Sequence, residues 1–208
     1  MTPLLTPLPV NIDEIKGFLD PREGAALQAA ALAGAKLGGC LEIGAYCGKS
    51  AIYIGATLKS LGAVLFTVDH HRGSEENQPG WAYHDAELWD GAAGAMDTLP
   101  HLRRNLRTAG LEETVIPIVG RSGAVAAHWG GKLGFLFIDG GHTLEAALAD
   151  YRGWTPHLVR GGLLAIHDVF PDPADGGRPP FEIYQRALAS DLFVEVEAVE
   201  SLRVLRRL

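Results

Sequence analysis

Four polar side chains stand just past two greasy runs of the sequence. LGFLFIDGGHT carries Asp139 and His142 behind its apolar stretch, and GGLLAIHD ends in His167 and Asp168. Two carboxylates at neighbouring strand ends can share one divalent cation, which would hold an acceptor oxygen and lower its pKa. His142, three residues beyond Asp139, reaches the same space as a general base, and imidazole is neutral at pH 7 as that task requires. His167 is a third candidate ligand. Imidazole is atypical for a hard Mg²⁺ site, so His167 points to Mn²⁺ or another transition cation, or else faces elsewhere. Taken singly, these residues have plainer readings: Asp139 as a cap for the helical segment from Thr143, His142 as a turn residue. Together they are harder to dismiss, because polar groups buried unpaired at one edge of a greasy sheet are costly.

A second constellation is EIGAYCGKS, residues 42 to 50. Gly44 and Gly48 allow the backbone to approach a bound molecule, and a helix starting near Lys49 offers free N–H groups to a phosphate or carboxylate. The spacing is G-x-x-x-G preceded by Glu42, which lacks the G-x-G-x-x-G of dinucleotide binders. The next apolar run, AVLFTVD, ends in Asp69, placed to take both hydroxyls of a ribose; a cap or loop turn is its alternative role.

The elements that must position these groups alternate. Asp20, Pro21 and Glu23 form an N-cap, first-turn proline and capping-box partner for a helix running to about Lys36. CLEIGA, AVLFTVD, VIPIVG, LGFLFID and GGLLAIHD are strands, continuously apolar as strands covered on both faces are. Helical stretches separate them, to about Ser60, through Leu99, Leu102 and Leu106 to Gly110, from about 122 to 129 and from 143 to 157. FVEVEAVESLRVLRR alternates and turns, as an antiparallel hairpin does at a sheet edge. The product is an α/β, doubly wound, mostly parallel sheet with helices on both faces.

Residues 70–96 and 170–180 are long connections after strand C-termini, where ligands of open α/β sheets bind. Trp81, Tyr83, His84 and Trp89 make the first of them a lid-like insertion. The whole chain, 1–208, reads as one domain with an N-terminal helical segment over 11–37, since no linker divides it.

LEIGAYCGKS, VDHH, FIDGGHTLEAALADYRGW and GGLLAIHDV together resemble the class I S-adenosylmethionine-dependent methyltransferases, specifically the small O-methyltransferase branch related to cephalosporin-hydroxylase-type enzymes. The resemblance covers about residues 38–169. It implies a seven-stranded Rossmann-like sheet whose last strand is antiparallel, and S-adenosylmethionine as methyl donor. Glu42 and Gly44 would then lie by the methionine end of the donor, Ser50 near its carboxylate, Asp69 on the ribose, and Arg121 and Ser122 beside the adenine, with Gly48 in the same cofactor-binding turn. The chain departs from the pattern in its long insertion after Asp69 and in the His167–Asp168 pair, where related metal-dependent enzymes often carry an acidic or amide residue.

Composition narrows the class. A formal charge of −7 and a sequence pI near 5.6 give no electrostatic footprint for nucleic acid. No apolar run nears the roughly 20 residues that span a bilayer, and the first residues lack the basic region of a signal peptide; the expected location is the cytoplasm. Cys40 and Cys47 match no metal or redox spacing. Arg103, Arg104 and Arg107 read as a solvated helix face. The expectation is an O-methyltransferase assisted by Mg²⁺ or Mn²⁺ and acting on a small hydroxylated acceptor, a sugar or polyol before a catechol-like phenol. Two copies pair in many small acidic enzymes of this type, so a homodimer is admissible. The rival readings are a metal-independent methyltransferase with His142 as sole base, and a catalytically silent subunit that only binds the donor.

Overall fold

A computed structural model describes residues 5–74, 77–81, 84–141 and 143–208. His142, Tyr83, Glu75 and Glu76 lie outside the described residues.

The first helix, α1 (Pro21–Gly34), starts as its sequence dictates. The Asp20 carboxylate accepts from the backbone N–H of Arg22, the Glu23 carboxylate accepts from that of Asp20 at 3.1 Å, and Pro21 fills the first position. β1 (Gly39–Ile43) follows, then α2 (Lys49–Leu61) and β2 (Leu65–Asp69). Among the described residues, the long connection after β2 carries a 3₁₀ turn (Ala86–Leu88) and a two-stranded hairpin, β3 (Trp89–Asp90) and β4 (Ala95–Met96). Beyond it come α3 (Leu99–Thr108), β5 (Val115–Val119), α4 (Ser122–Ala126), β6 (Leu133–Ile138), α5 (Leu144–Trp154), β7 (Leu158–Ile166), α6 (Pro179–Ala189), β8 (Phe193–Val199) and β9 (Leu202–Arg207).

Seven strands form one sheet in the order β5-β2-β1-β6-β7-β9-β8, parallel except for β9 and β8. The expected C-terminal hairpin is there, with β9 antiparallel to β7. The hairpin of β3 and β4 inside the insertion was not expected from the sequence, and two further elements differ. β7 begins at Leu158, before the glycine pair, and α6 occupies a stretch in which no helix was expected. Pro179 and Pro180 at its first positions and the apolar pair Ile183 and Ala187 were the available signals.

Alternation divides the core into two layers. Cys40, Phe135 and Phe137 face α1 and α2, whereas Leu41, Ile43, Leu136 and Ile138 face the layer of α4, α5 and α6. Register then places the chemistry. Val68 of β2, Ile43 of β1, Ile138 of β6 and Ile166 of β7 lie in one row across the sheet. The residues immediately after them are Asp69, Gly44, Asp139 and His167, so one further step brings all four to the same C-terminal edge. The chain reverses direction across the sheet between β1 and β6, which opens the crevice where such folds take their ligands.

Candidate active site

An open cleft runs along that edge. Its floor is Gly44, Ala45, Asp69, Asp139 and Gly140, one wall is the segment Lys16–Leu19, and the insertion after β2 supplies His70, Arg72, Ser74 and Asn77.

At one end, Asp139, His167 and Asp168 come together, with a ligand atom from each within 4.8 Å of the others. Asp139 does not cap α5, because Thr143 does so by accepting from the N–H of Ala146 at 3.2 Å; its carboxylate faces His167 Nδ1 at 3.1 Å. Asp168 holds a left-handed backbone (φ 56°) that places its Oδ1 3.5 Å from the same nitrogen. His167 is 4% exposed, and its Nε2 meets Glu23 Oε2 of α1 at 2.9 Å. Burial works against the imidazolium, but Asp139 and the hydrogen bonds to Asp139, Asp168 and Glu23 outweigh it and raise the His167 pKa well above its ordinary range.

The donor set fits a divalent cation. Two carboxylate oxygens lie 3.1 and 3.5 Å from one ring nitrogen, all within 4.8 Å of one another, against roughly 3 Å between neighbouring ligands on a cation with bonds of about 2.1 Å.

Both glycines of the turn meet close protein neighbours. Gly44 has φ 90°, and a Cβ there would lie 1.9 Å from the carbonyl oxygen of Asp139. At Gly48 (φ 92°) a Cβ would meet Leu102 at 2.6 Å; this residue is buried against α3 and does not line the cleft. Asp69 pins the turn. Its Oδ2 accepts from the N–H groups of Ala45 and Tyr46, both at 3.0 Å, and its Oδ1 from that of His71 at 2.8 Å. Oδ2 is thereby filled, which leaves acceptor capacity on Oδ1 for one further donor. The loop-turn role and a ribose contact are compatible, but not two full contacts to the diol as expected.

Glu42 is also placed differently from the expectation. It is fully buried beneath the cleft, accepting from Ser50 Oγ at 2.5 Å and from Thr67 Oγ1 at 2.7 Å. Ser50 lines the cleft; Glu42 does not. Burial pushes the Glu42 carboxyl up to about 7 despite those two hydrogen bonds.

At the far end, Arg121 and Ser122 open α4 and line the cleft. Ser122 Oγ accepts from Trp154 Nε1 at 2.7 Å and donates to Asp150, a buried carboxyl on the same wall that burial pushes up to about 6. Over the middle, Lys16 pairs with Asp85 and with Glu87 (2.7 Å), joining the segment before α1 to the insertion, and Phe18 stands 6.0 Å from Tyr46. Of the aromatics expected to cover a ligand, Trp81 is 60% exposed, while Trp89 packs on Cys47, Leu88 and Met96 with His84 edge-on against it. None of these three lines the cleft.

Glu23, Asp150 and Lys16–Phe18 escape a reading of the sequence. Only Glu23 carried a signal, and that signal was for a helix cap. Among the described residues no helix is long and apolar enough to cross a membrane.

A family model described as a methyltransferase domain matches residues 41–169. The fold is similar to that of the O-methyltransferase NovP, at 16% identity over 89% of this chain and 79% of that one, with a TM-score of 0.69. An O-methyltransferase from Bacillus cereus, solved in complex with SAH, shares 17% identity over 91% of this chain and 83% of its own, with a TM-score of 0.62. CalS11, a TDP-rhamnose 3'-O-methyltransferase of calicheamicin biosynthesis, shares 12% identity over 89% and 79%, with a TM-score of 0.62.

Proposed function

Because the chain belongs to the methyltransferase domain family, we propose that it moves the methyl group of S-adenosylmethionine to a hydroxyl of a small acceptor, with a divalent cation held by Asp139, His167 and Asp168. The observation that carries this reading is the shared edge on which Asp69, Gly44, Asp139 and His167 follow one row of the sheet.

In the transfer the acceptor oxygen forms a bond to the methyl carbon as the carbon–sulfur bond breaks. The electron pair goes to sulfur, giving S-adenosylhomocysteine, and the hydroxyl proton leaves to a base. His142 is that base, from its place in the sequence three residues beyond Asp139. Ser50 has its proton committed to Glu42, so its oxygen offers lone pairs to the ammonium of the methionyl group. Asp69 holds the turn and offers one oxygen to the ribose, and Arg121 and Ser122 border the base. A cation at Asp139, His167 and Asp168 supplies orientation and acidification of the acceptor hydroxyl. Phe18 and Lys16 over the cleft, with Ser74 and Asn77 opposite, suit an acceptor with one apolar face and several hydroxyls. A sugar or polyol is preferred to a catechol-like phenol, in keeping with the TDP-rhamnose named for one structural neighbour.

A metal-independent transfer has one observation in its favour, since the imidazolium of His167 can itself neutralise the carboxylates around it. Methyl transfer from labelled S-adenosylmethionine to a panel of glycosides, polyols and catechols, with and without EDTA, separates the two. Failure to methylate any hydroxyl while the donor still binds would leave the silent-subunit reading.

A further inference from the structure

His167 has two ring nitrogens, and a cation can use only one that is free of a proton. The other must then carry the proton and have an acceptor. Nδ1 faces Asp139 Oδ1 at 3.1 Å and Asp168 Oδ1 at 3.5 Å, while the partner of Nε2 is Glu23 Oε2 at 2.9 Å.

Glu23 is held for that task more firmly than helix capping requires. An N3 glutamate can serve a capping box with an exposed side chain, yet Glu23 is 3% exposed. Its Oε1 accepts from Ser201 N–H at 2.9 Å, Ser201 Oγ at 2.8 Å and Leu202 N–H at 3.1 Å. Its Oε2 accepts from Asp20 N–H as well as His167. Donors from the N-cap of α1, from the turn into β9 and from the residue after β7 thus engage both oxygens of this carboxylate.

We propose that Glu23 is a positioning residue that keeps the His167 proton on Nε2, turns Nδ1 towards Asp139 and Asp168 as a nitrogen donor, and so gives the site a preference for transition cations such as Mn²⁺ or Co²⁺ over Mg²⁺. This rests on the metal-assisted reading above. One imidazole among oxygen ligands shifts selectivity in that direction because nitrogen binds borderline cations better than hard ones. A cation at Nδ1 takes the place of any proton on that nitrogen and leaves the Nε2–H···Glu23 bond intact.

The test uses the full chain stripped with EDTA and titrated with Co²⁺ and with Mg²⁺ by calorimetry, the Co²⁺ visible spectrum being recorded in parallel. Wild type should bind Co²⁺ at least about 100-fold more tightly than Mg²⁺. Glu23→Gln should weaken Co²⁺ binding by about 10- to 100-fold and leave Mg²⁺ binding nearly unchanged. His167→Asn should remove the preference and alter the spectrum, and adding Glu23→Gln to it should cost nothing further. Unchanged binding of S-adenosylhomocysteine checks that each variant is folded. Should Glu23→Gln not fold, ¹⁵N-histidine NMR of the wild type with Zn²⁺ gives the same answer, the expected species being Nε2-protonated His167 with Nδ1 shifted by the metal. Equal affinities for Co²⁺ and Mg²⁺, or an Nδ1 untouched by Zn²⁺, would overturn the proposal while leaving metal-assisted transfer standing. No binding of any divalent cation at millimolar concentration would overturn both.

Discussion

Ser50 donates its hydroxyl proton to Glu42 at 2.5 Å, and this places a fully buried carboxyl directly beneath the cleft. Burial pushes that carboxyl up to about 7 from an ordinary value of 4.5. Between those two values the folded protein keeps a proton that the unfolded chain has released. Glu42 therefore lowers stability progressively as pH rises through this window. Glu42→Gln retains an acceptor for one hydroxyl and removes the titration. Melting temperature measured from pH 4.5 to 8 should fall in the wild type relative to the variant as pH rises. Parallel curves would show that Glu42 ionises as an ordinary carboxylate.

Asp69 serves the turn and the donor together, and two substitutions separate those duties. Asp69→Asn keeps an oxygen for the N–H groups of Ala45 and Tyr46 but loses the charge offered to the ribose. It should fold and weaken S-adenosylhomocysteine binding by about 1 to 3 kcal/mol in calorimetry. Asp69→Ala should in addition lower the melting temperature, because three backbone N–H groups lose their acceptor. NADH should not bind either form. A variant with asparagine that binds as well as wild type would confine Asp69 to holding the turn.

The strands and the edge they share were legible because a parallel sheet buried on both faces needs continuous apolar runs, and each run here ends where its polar residues begin. Asp139, His167 and Asp168 could be picked out for that reason. What Glu42, Gly44 and Gly48 touch was not legible. A glycine in a strand-to-helix turn has the same signature whether a ligand or a neighbouring backbone presses on it, and here the neighbours are Asp139 and Leu102. The Glu23–His167 contact spans 144 positions, beyond any local periodicity. The helix Pro179–Ala189 was obscured by the Pro- and Gly-rich run that leads into it. The aromatics of the insertion were visible, but whether they would cover a ligand or pack on one another depends on contacts with Cys47 and Met96 that no spacing reveals.

His142 is the proposed base, and its loss should leave the binding sites intact. His142→Ala should lower kcat by roughly 10²- to 10⁴-fold with little change in the affinity for S-adenosylhomocysteine. Steady-state kinetics with a confirmed acceptor, beside calorimetry of the same protein, measures both. A kcat within a few-fold of wild type would assign proton removal to another group.

Asp139 and Asp168 face the same cation site but differ in what else they support, so their substitutions should diverge in stability and agree in activity. Each removes a charged oxygen from the site, and either Asp139→Asn or Asp168→Asn should reduce metal-dependent methyl transfer severely. Without metal, Asp139→Asn also takes from the buried His167 a carboxylate at 3.1 Å, whereas the oxygen of Asp168 is more distant at 3.5 Å. Removing one partner of a buried pair leaves the other charge poorly compensated. The metal-free melting temperature should therefore fall further for Asp139→Asn than for Asp168→Asn. S-adenosylhomocysteine binding should persist in both, since Ser50 and Asp69 are untouched. The measurement is a cation titration of EDTA-stripped wild type and both variants, following methyl transfer and melting temperature together. Full activity in the stripped wild type would remove the cation from the reaction and leave His142 to act alone.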